Sequence, residues 1–139
     1  MADNLTSAQR SRAMRRIKSK DTSPEIALRL LVRELGFSGY RLHRKDLPGK
    51  PDLAWIGRKQ AIFLHGCFWH GHDCPRGARI PKTNTRYWQT KIEKNRRRDI
   101  QHTAQFTEQR WRVLTVWECE LKNKIALAAR LKAFLTPTS

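Results

Sequence analysis

Cysteine and acidic residues are scarce in this chain, and long apolar runs are missing. Three cysteines are an odd number and do not build a disulfide framework. Thiols lying close to histidines, in a chain with no export signal, point to a metal instead. No apolar stretch approaches the roughly 20 residues of a membrane-spanning helix, which argues against a membrane protein. The opening Met1-Ala2-Asp3-Asn4-Leu5 lacks the apolar centre of a secretory signal. A reducing cytoplasm is the expected compartment. Neither repeats nor a low-complexity linker divides the chain, so one α/β domain over residues 1–139 is expected.

Against only 12 Asp and Glu stand 29 Lys and Arg, a formal charge of +17. Such a field attracts polyanions, and with membranes disfavoured the partner class is nucleic acid. A hydrophobic content of 39%, with five Trp and five Phe, is too high for a disordered polycation. The length suffices for one real core.

Residues 1–20 read as a basic arm, with Arg10, Arg12, Arg15, Arg16, Lys18 and Lys20 placed to fold against phosphates. Thr22-x-x-Glu25 fits a capping box with Pro24 in the first turn. Leu28, Leu31, Val32 and Leu35 then make one helical stripe, which Gly36 ends. The cap alone explains Glu25. A short strand is expected near Tyr40–His43, then the turn-rich Leu47-Pro48-Gly49-Lys50-Pro51. A hairpin of 52–56 with 61–65 would pair Asp52 opposite His65, setting a carboxylate beside an imidazole. Such a pair suits metal-assisted phosphodiester hydrolysis. A helix from about Arg86 to Gln105, capped by Asn84 or Thr85, would turn Trp88, Ile92 and Ile100 inward and its lysines and arginines outward. A strand over 112–119 and a helix over 124–135, with Ile125, Ala128, Leu131 and Leu135 inward, complete the domain.

Cys67, His70, His72, Cys74 and Cys119 offer five ligands for the four places of a tetrahedral zinc. Thiolates with imidazole select zinc over magnesium or calcium, and spacing leaves open which histidine binds. Phe68 and Trp69, set among these ligands, either pack beneath the loop or project as wedges that unstack bases.

The strings Leu47-Pro48-Gly49-Lys50-Pro51-Asp52, His65-Gly66-Cys67-Phe68-Trp69-His70, Lys91-Ile92 with Lys94-Asn95 and Arg98-Asp99, and Trp111-Arg112-Val113-Leu114 with Val116-Trp117-Glu118-Cys119 resemble the very short patch repair endonuclease family, Vsr, over about residues 8–121. The resemblance implies a restriction-endonuclease-like core, a mixed central sheet flanked by helices, with a structural zinc site. It implies magnesium-dependent nicking of one DNA strand 5′ of the thymine in a T·G mismatch left by deaminated 5-methylcytosine. Asp52 and the Leu64 backbone carbonyl would hold magnesium. His65 and His70 would act in acid–base and phosphate contacts, with Glu25 orienting one of these groups or its waters. Zinc would sit on Cys67, His72, Cys74 and Cys119. Phe68, Trp69 and Trp88 would wedge beside the mismatch, with Met14 approaching from the minor groove and Lys91 and Asn95 reading neighbouring bases. A monomer in the bacterial nucleoid, working with a MutL-type mismatch-repair protein and a repair DNA polymerase, would follow. This chain departs from the best-known members in having Leu64 before His65, where they have Thr, and in Gly71 and Asp73 interrupting the histidine run. The competing readings are a same-fold nuclease of relaxed specificity and a non-catalytic zinc-stabilised DNA-binding module.

Overall fold

A computed structural model describes residues 22–75, 77–78 and 81–136; the basic arm over 1–20, Met14 included, lies outside them. Thr22 starts the first helix as expected, its hydroxyl accepting from the Glu25 N–H at 3.5 Å. Helix α1 spans Ser23–Glu34. It buries Leu28 and Val32 completely, with Leu31 and Leu35 packed alongside. Gly36 then adopts φ +91°, a conformation open to glycine at no steric cost.

Strands β1 (Leu53–Trp55) and β2 (Gln60–His65) form the antiparallel hairpin, and β3 (Arg112–Trp117) pairs parallel to β2. The sheet is therefore mixed, with order β1-β2-β3. The long helix α2 (Thr85–Glu108) makes the crossover between the parallel pair, as a parallel connection requires. A 3₁₀ turn over Glu118–Lys122 leads to α3, Lys124–Leu135. The Asn123 side chain caps α3 by accepting from the Ala126 N–H at 3.2 Å. At its other end Arg58 and Gln60 donate to the carbonyls of Leu135 and Phe134, both at 3.0 Å.

The period-two alternation of β2 sorts the layers. Ile62 and Leu64 face α1 and α3, in a core with Leu28, Val32, Leu53, Trp55, Val116, Leu127, Leu131 and Leu135. Ala61 and Phe63 face α2 and meet Phe106. His65 continues that second face, so alternation alone delivers it beneath α2.

Several expectations are corrected. The hairpin register is displaced by two residues: the pairs are Leu53↔Ile62, Ala54↔Ala61 and Trp55↔Gln60. Continued outward, it sets Asp52 beside Phe63 rather than His65. Trp55 is buried with its indole N–H donated to the Ser38 carbonyl at 2.9 Å, so the chain turns immediately after it. Ile56, 40% exposed, is left in the turn, which the Lys59 N–H closes onto the Ile56 carbonyl at 3.2 Å. A two-residue shift preserves faces, so Asp52 and His65 remain on one side of the sheet. The strand expected near 40–43 is a single bridge, Arg41↔Ala54. The third strand ends at Trp117 and leaves Cys119 on the 3₁₀ turn. Asn84 does cap α2, but in the left-handed conformation and without a side-chain bond. Ile100 and Ile125 are 70% and 86% exposed, and Leu127 takes the inward place in α3. For α2 the reason is helical phase: Ile92, Asn95, Asp99, His102 and Phe106 form the inward stripe. Its middle is polar because there it covers a cleft instead of core.

Candidate active site

The cleft under α2 has a volume of about 310 Å³ and is lined by Asp52, His65 and His70 together with His43, Asp99 and His102. Asp52 enters at the head of β1, one residue before the ladder begins. Its Oδ2 accepts from the Leu64 N–H at 2.6 Å, satisfying a strand donor that has no partner in β1. Ligand atoms of Glu25, His43 and Asp52 lie within 4.8 Å of one another. Glu25 does more than cap α1: it also turns its Oε2 to His43 Nε2 at 3.1 Å and to Arg29 at 3.0 Å.

Burial pushes the Asp52 carboxyl up to about 6, against the pull of the Leu64 N–H. In the unfolded chain this proton leaves near pH 4. Between the two values the folded chain holds a proton that the unfolded one has lost, so stability falls as pH rises through this window and stays lower above it. In magnesium-free buffer Asp52→Asn is therefore expected to exceed wild type in stability above pH 6, by about 1–3 kcal/mol, the gap closing below pH 4. Urea melts of both proteins across that range measure it; a gap independent of pH would refute the burial penalty.

Asp52 does not pair directly with the imidazoles. These form a second cluster with Asp99, which the sequence reading left unassigned. His70 Nδ1 lies 2.7 Å from Asp99 Oδ2, and His65 Nδ1 lies 3.7 Å from the same oxygen. The two rings stack almost parallel, 3.9 Å between centroids. His65 is buried, and its Nδ1 has no hydrogen-bond partner among the described residues. Burial, then the neighbouring His70, pulls its pKa down to about 4, with Asp99 opposing. His65 is thus a neutral imidazole at physiological pH, able to accept a proton. His70 instead has its carboxylate partner at hydrogen-bonding distance, which fixes the ring's orientation.

Ligand atoms of Cys67, His72, Cys74 and Cys119 also lie within 4.8 Å of one another. Cys119 Sγ is 3.6 Å from His72 Nδ1, and the Cys119 N–H donates to Cys67 Sγ at 3.4 Å. Gly71 separates the two histidine roles. Its φ of +61° reverses the chain where a Cβ would sit 2.7 Å from Ile92, sending His70 into the cleft and His72 to the thiols. The Trp117 ring stacks on His72 at 4.2 Å and meets His65 edge-on at 5.4 Å, so one indole separates the two clusters.

Phe68, Trp69 and Trp88 pack edge-to-face at 5.2–5.6 Å, yet Trp69 remains 45% exposed. They both pack together and present an aromatic edge. Lys91 Nζ lies 5.4 Å above the Trp69 ring. The Asn95 amide donates to the Trp69 carbonyl at 2.7 Å, tying this loop to α2. Asp99 and His102 escaped the sequence reading because a search for apolar periodicity favours Ile100; an i, i+3, i+7, i+10, i+14 stripe anchored on Ile92 and Phe106 would have found them.

The profile of the family described as DNA mismatch endonuclease Vsr matches residues 2–76, more than half of the chain. A type II nicking enzyme of Xanthomonas oryzae pv. oryzae, V.XorIIP, is 46% identical over 138 residues, covering 99% of this chain and 100% of that protein. V.NmeAIP, a type II nicking enzyme of Neisseria meningitidis, is 44% identical, covering 94% and 92%. The DNA mismatch endonuclease Vsr of Escherichia coli K12 is 41% identical over 124 residues, covering 89% and 78%. With the cleft, the thiol cluster and matches of this extent together, the chain belongs to the Vsr family of DNA mismatch endonucleases.

Proposed function

We propose that this chain is a strand-specific, magnesium-dependent endonuclease that nicks 5′ of the thymine in T·G mismatches. One observation carries the reading: a desolvated carboxylate and a His65–His70–Asp99 cluster share one cleft, with an aromatic edge on the loop between His65 and His70. A non-catalytic DNA-binding module has no use for a neutral buried imidazole facing a carboxylate across 3.7 Å.

The oxygen donors of Asp52 fit a hard cation. In a strand the N–H and C=O of one residue point to the same edge. Donation of the Leu64 N–H to Asp52 therefore supports the Leu64 carbonyl as a second donor, and a backbone donor tolerates any side chain there. Magnesium held at this place supplies charge neutralisation at the phosphate and a more acidic bound water. His65 takes up a proton in the cleft, and His70, oriented by Asp99, contacts the phosphate or returns a proton. Cys67, His72, Cys74 and Cys119 would bind zinc in a purely structural role, their three thiols and one imidazole matching a closed tetrahedral site.

The mixed sheet between helices supports a restriction-endonuclease-like core. A T·G wobble is poorly stacked, so inserting Phe68, Trp69 and Trp88 there costs less than at a matched pair. Arg86, Lys91, Lys94 and Arg98 line a groove on the outer face of α2 and are placed to track phosphates. Met14 on the arm would complete the grip from the minor groove, with Lys91 and Asn95 reading bases. No described helix is long and apolar enough to cross a membrane. A MutL-type protein and a polymerase that resynthesises the nicked strand would be its repair partners.

End-labelled duplexes carrying every mismatch in several flanking contexts, with and without magnesium, test the reading. Cleavage of one strand at T·G alone, only with magnesium, is expected. Equal cutting of all mismatches would favour the relaxed nuclease, and binding without cutting the DNA-binding module.

A further inference from the structure

His43 and Lys50 are the two non-glycine cleft residues with a left-handed backbone, and of these His43 lies beside Asp52 with its ring engaged by a carboxylate. The chain pairs at Arg41, whose N–H and C=O exchange bonds of 2.7 and 2.9 Å with Ala54, and then leaves the strand. At His43 φ is +48°, a left-handed conformation that non-glycine residues adopt at a cost and that clusters at functional sites. That backbone re-aims the imidazole into the cleft beside Asp52. Once there the ring is held by Glu25: its Nε2–H donates to Oε2 at 3.1 Å, and Arg29 Nη2, 3.4 Å from that nitrogen, is a neighbour without a second bond to it. Arg29 also bonds that Glu25 oxygen and balances its charge. Glu25 is therefore better suited to clamp the imidazole than to bind a cation itself.

We propose that His43, clamped by Glu25, is a positioning residue of the Asp52 cation site. This rests on the proposed function, in which Asp52 binds magnesium. Magnesium dehydrates reluctantly and usually keeps several waters, so groups beside its first ligands decide how its water shell is oriented. With ligand atoms of Glu25, His43 and Asp52 all within 4.8 Å, His43 is placed to hydrogen-bond that shell. Outer groups of this kind alter metal affinity about 10–100-fold when removed. A ring that merely filled space would need neither the left-handed backbone nor the carboxylate clamp.

Manganese(II) is the probe, titrated into protein purified without chelator and followed by loss of the free-ion EPR signal. His43→Ala should weaken binding about 10-fold, while the dissociation constant for mismatched duplex stays near wild type. His43→Gln keeps a donor and an acceptor at similar reach and should restore most of the affinity. His43→Gly relieves the left-handed residue, so its melting temperature should not fall while its manganese affinity does. In nicking assays the alanine variant should need more magnesium for its half-maximal rate and recover toward wild type at saturation. Wild-type manganese affinity in both His43→Ala and His43→Gly would overturn the proposal, as would a glutamine variant no better than alanine. Asp52→Ala is the control: if it binds manganese like wild type, the cation site itself is misassigned and this inference falls with it. A normal loss in Asp52→Ala with none in the His43 variants sinks only the inference.

Discussion

Asp52→Ala is expected to lower single-turnover nicking of a mismatched duplex about 10³-fold or more, with the dissociation constant for that duplex changing less than about tenfold. The asymmetry follows from where binding and chemistry reside. On the proposed reading, affinity would come from the basic outer face of α2 and the aromatic edge of Phe68, Trp69 and Trp88, away from Asp52. Chemistry depends on concentrating positive charge at one phosphate, and within the cleft the carboxylate best placed to recruit a cation is Asp52, at the mouth of the hairpin. His65 and His70 cannot substitute. Burial holds His65 neutral, and His70 is tied to Asp99 at 2.7 Å. Filter binding and cleavage on one labelled duplex separate the two quantities. A variant that still cuts at the wild-type rate would remove Asp52 from the centre.

Cys119→Ser should abolish stoichiometric zinc and lower the melting temperature sharply. The four proposed ligands come from two places: Cys67, His72 and Cys74 from the loop after β2, Cys119 from the 3₁₀ turn after β3. A metal at this cluster would therefore staple the ends of two parallel strands, the ends that also carry His65 and Trp117. Burial and the nearby Cys67 and Cys74 sulfurs push the Cys119 thiol up to about 12. Without a cation the Cys119 thiol resists ionising, so metal binding there must displace its proton and weakens on acidification. A structural zinc contributes about 10–16 kcal/mol in small peptides, a large amount beside the about 5–15 kcal/mol net stability of a typical domain. Serine offers no thiolate, so most of that contribution should vanish. Metal analysis with calorimetry checks it; full zinc and an unchanged melting point in the variant would refute the ligand set. Reduced nicking is expected as a secondary loss, since Trp117 packs on both His72 and His65.

What sequence alone determined was local. The capped helix with its Leu28 and Val32 stripe, the existence of the hairpin and the β2–α2–β3 order follow from short-range periodicity and turn signals, while Asp52, His65, His70 and five candidate zinc ligands stand out as residue types at suggestive spacings. Local rules specify these because one residue's conformation and its neighbours within a turn or strand settle them. Tertiary structure decided the rest. It placed the hairpin turn after Trp55, since a buried indole needed the Ser38 carbonyl. It rotated α2 so that Asp99 and His102 face inward where apolar phase suggested Ile100, because that turn covers a cleft. It split the polar groups into Glu25–His43–Asp52 on one side and His65–His70–Asp99 on the other. It brought Cys119 to Cys67, His72 and Cys74 and left His70 out. Which side chains share a cleft depends on how three layers stack, and stacking is a sum over contacts far apart in the chain, which no local pattern encodes.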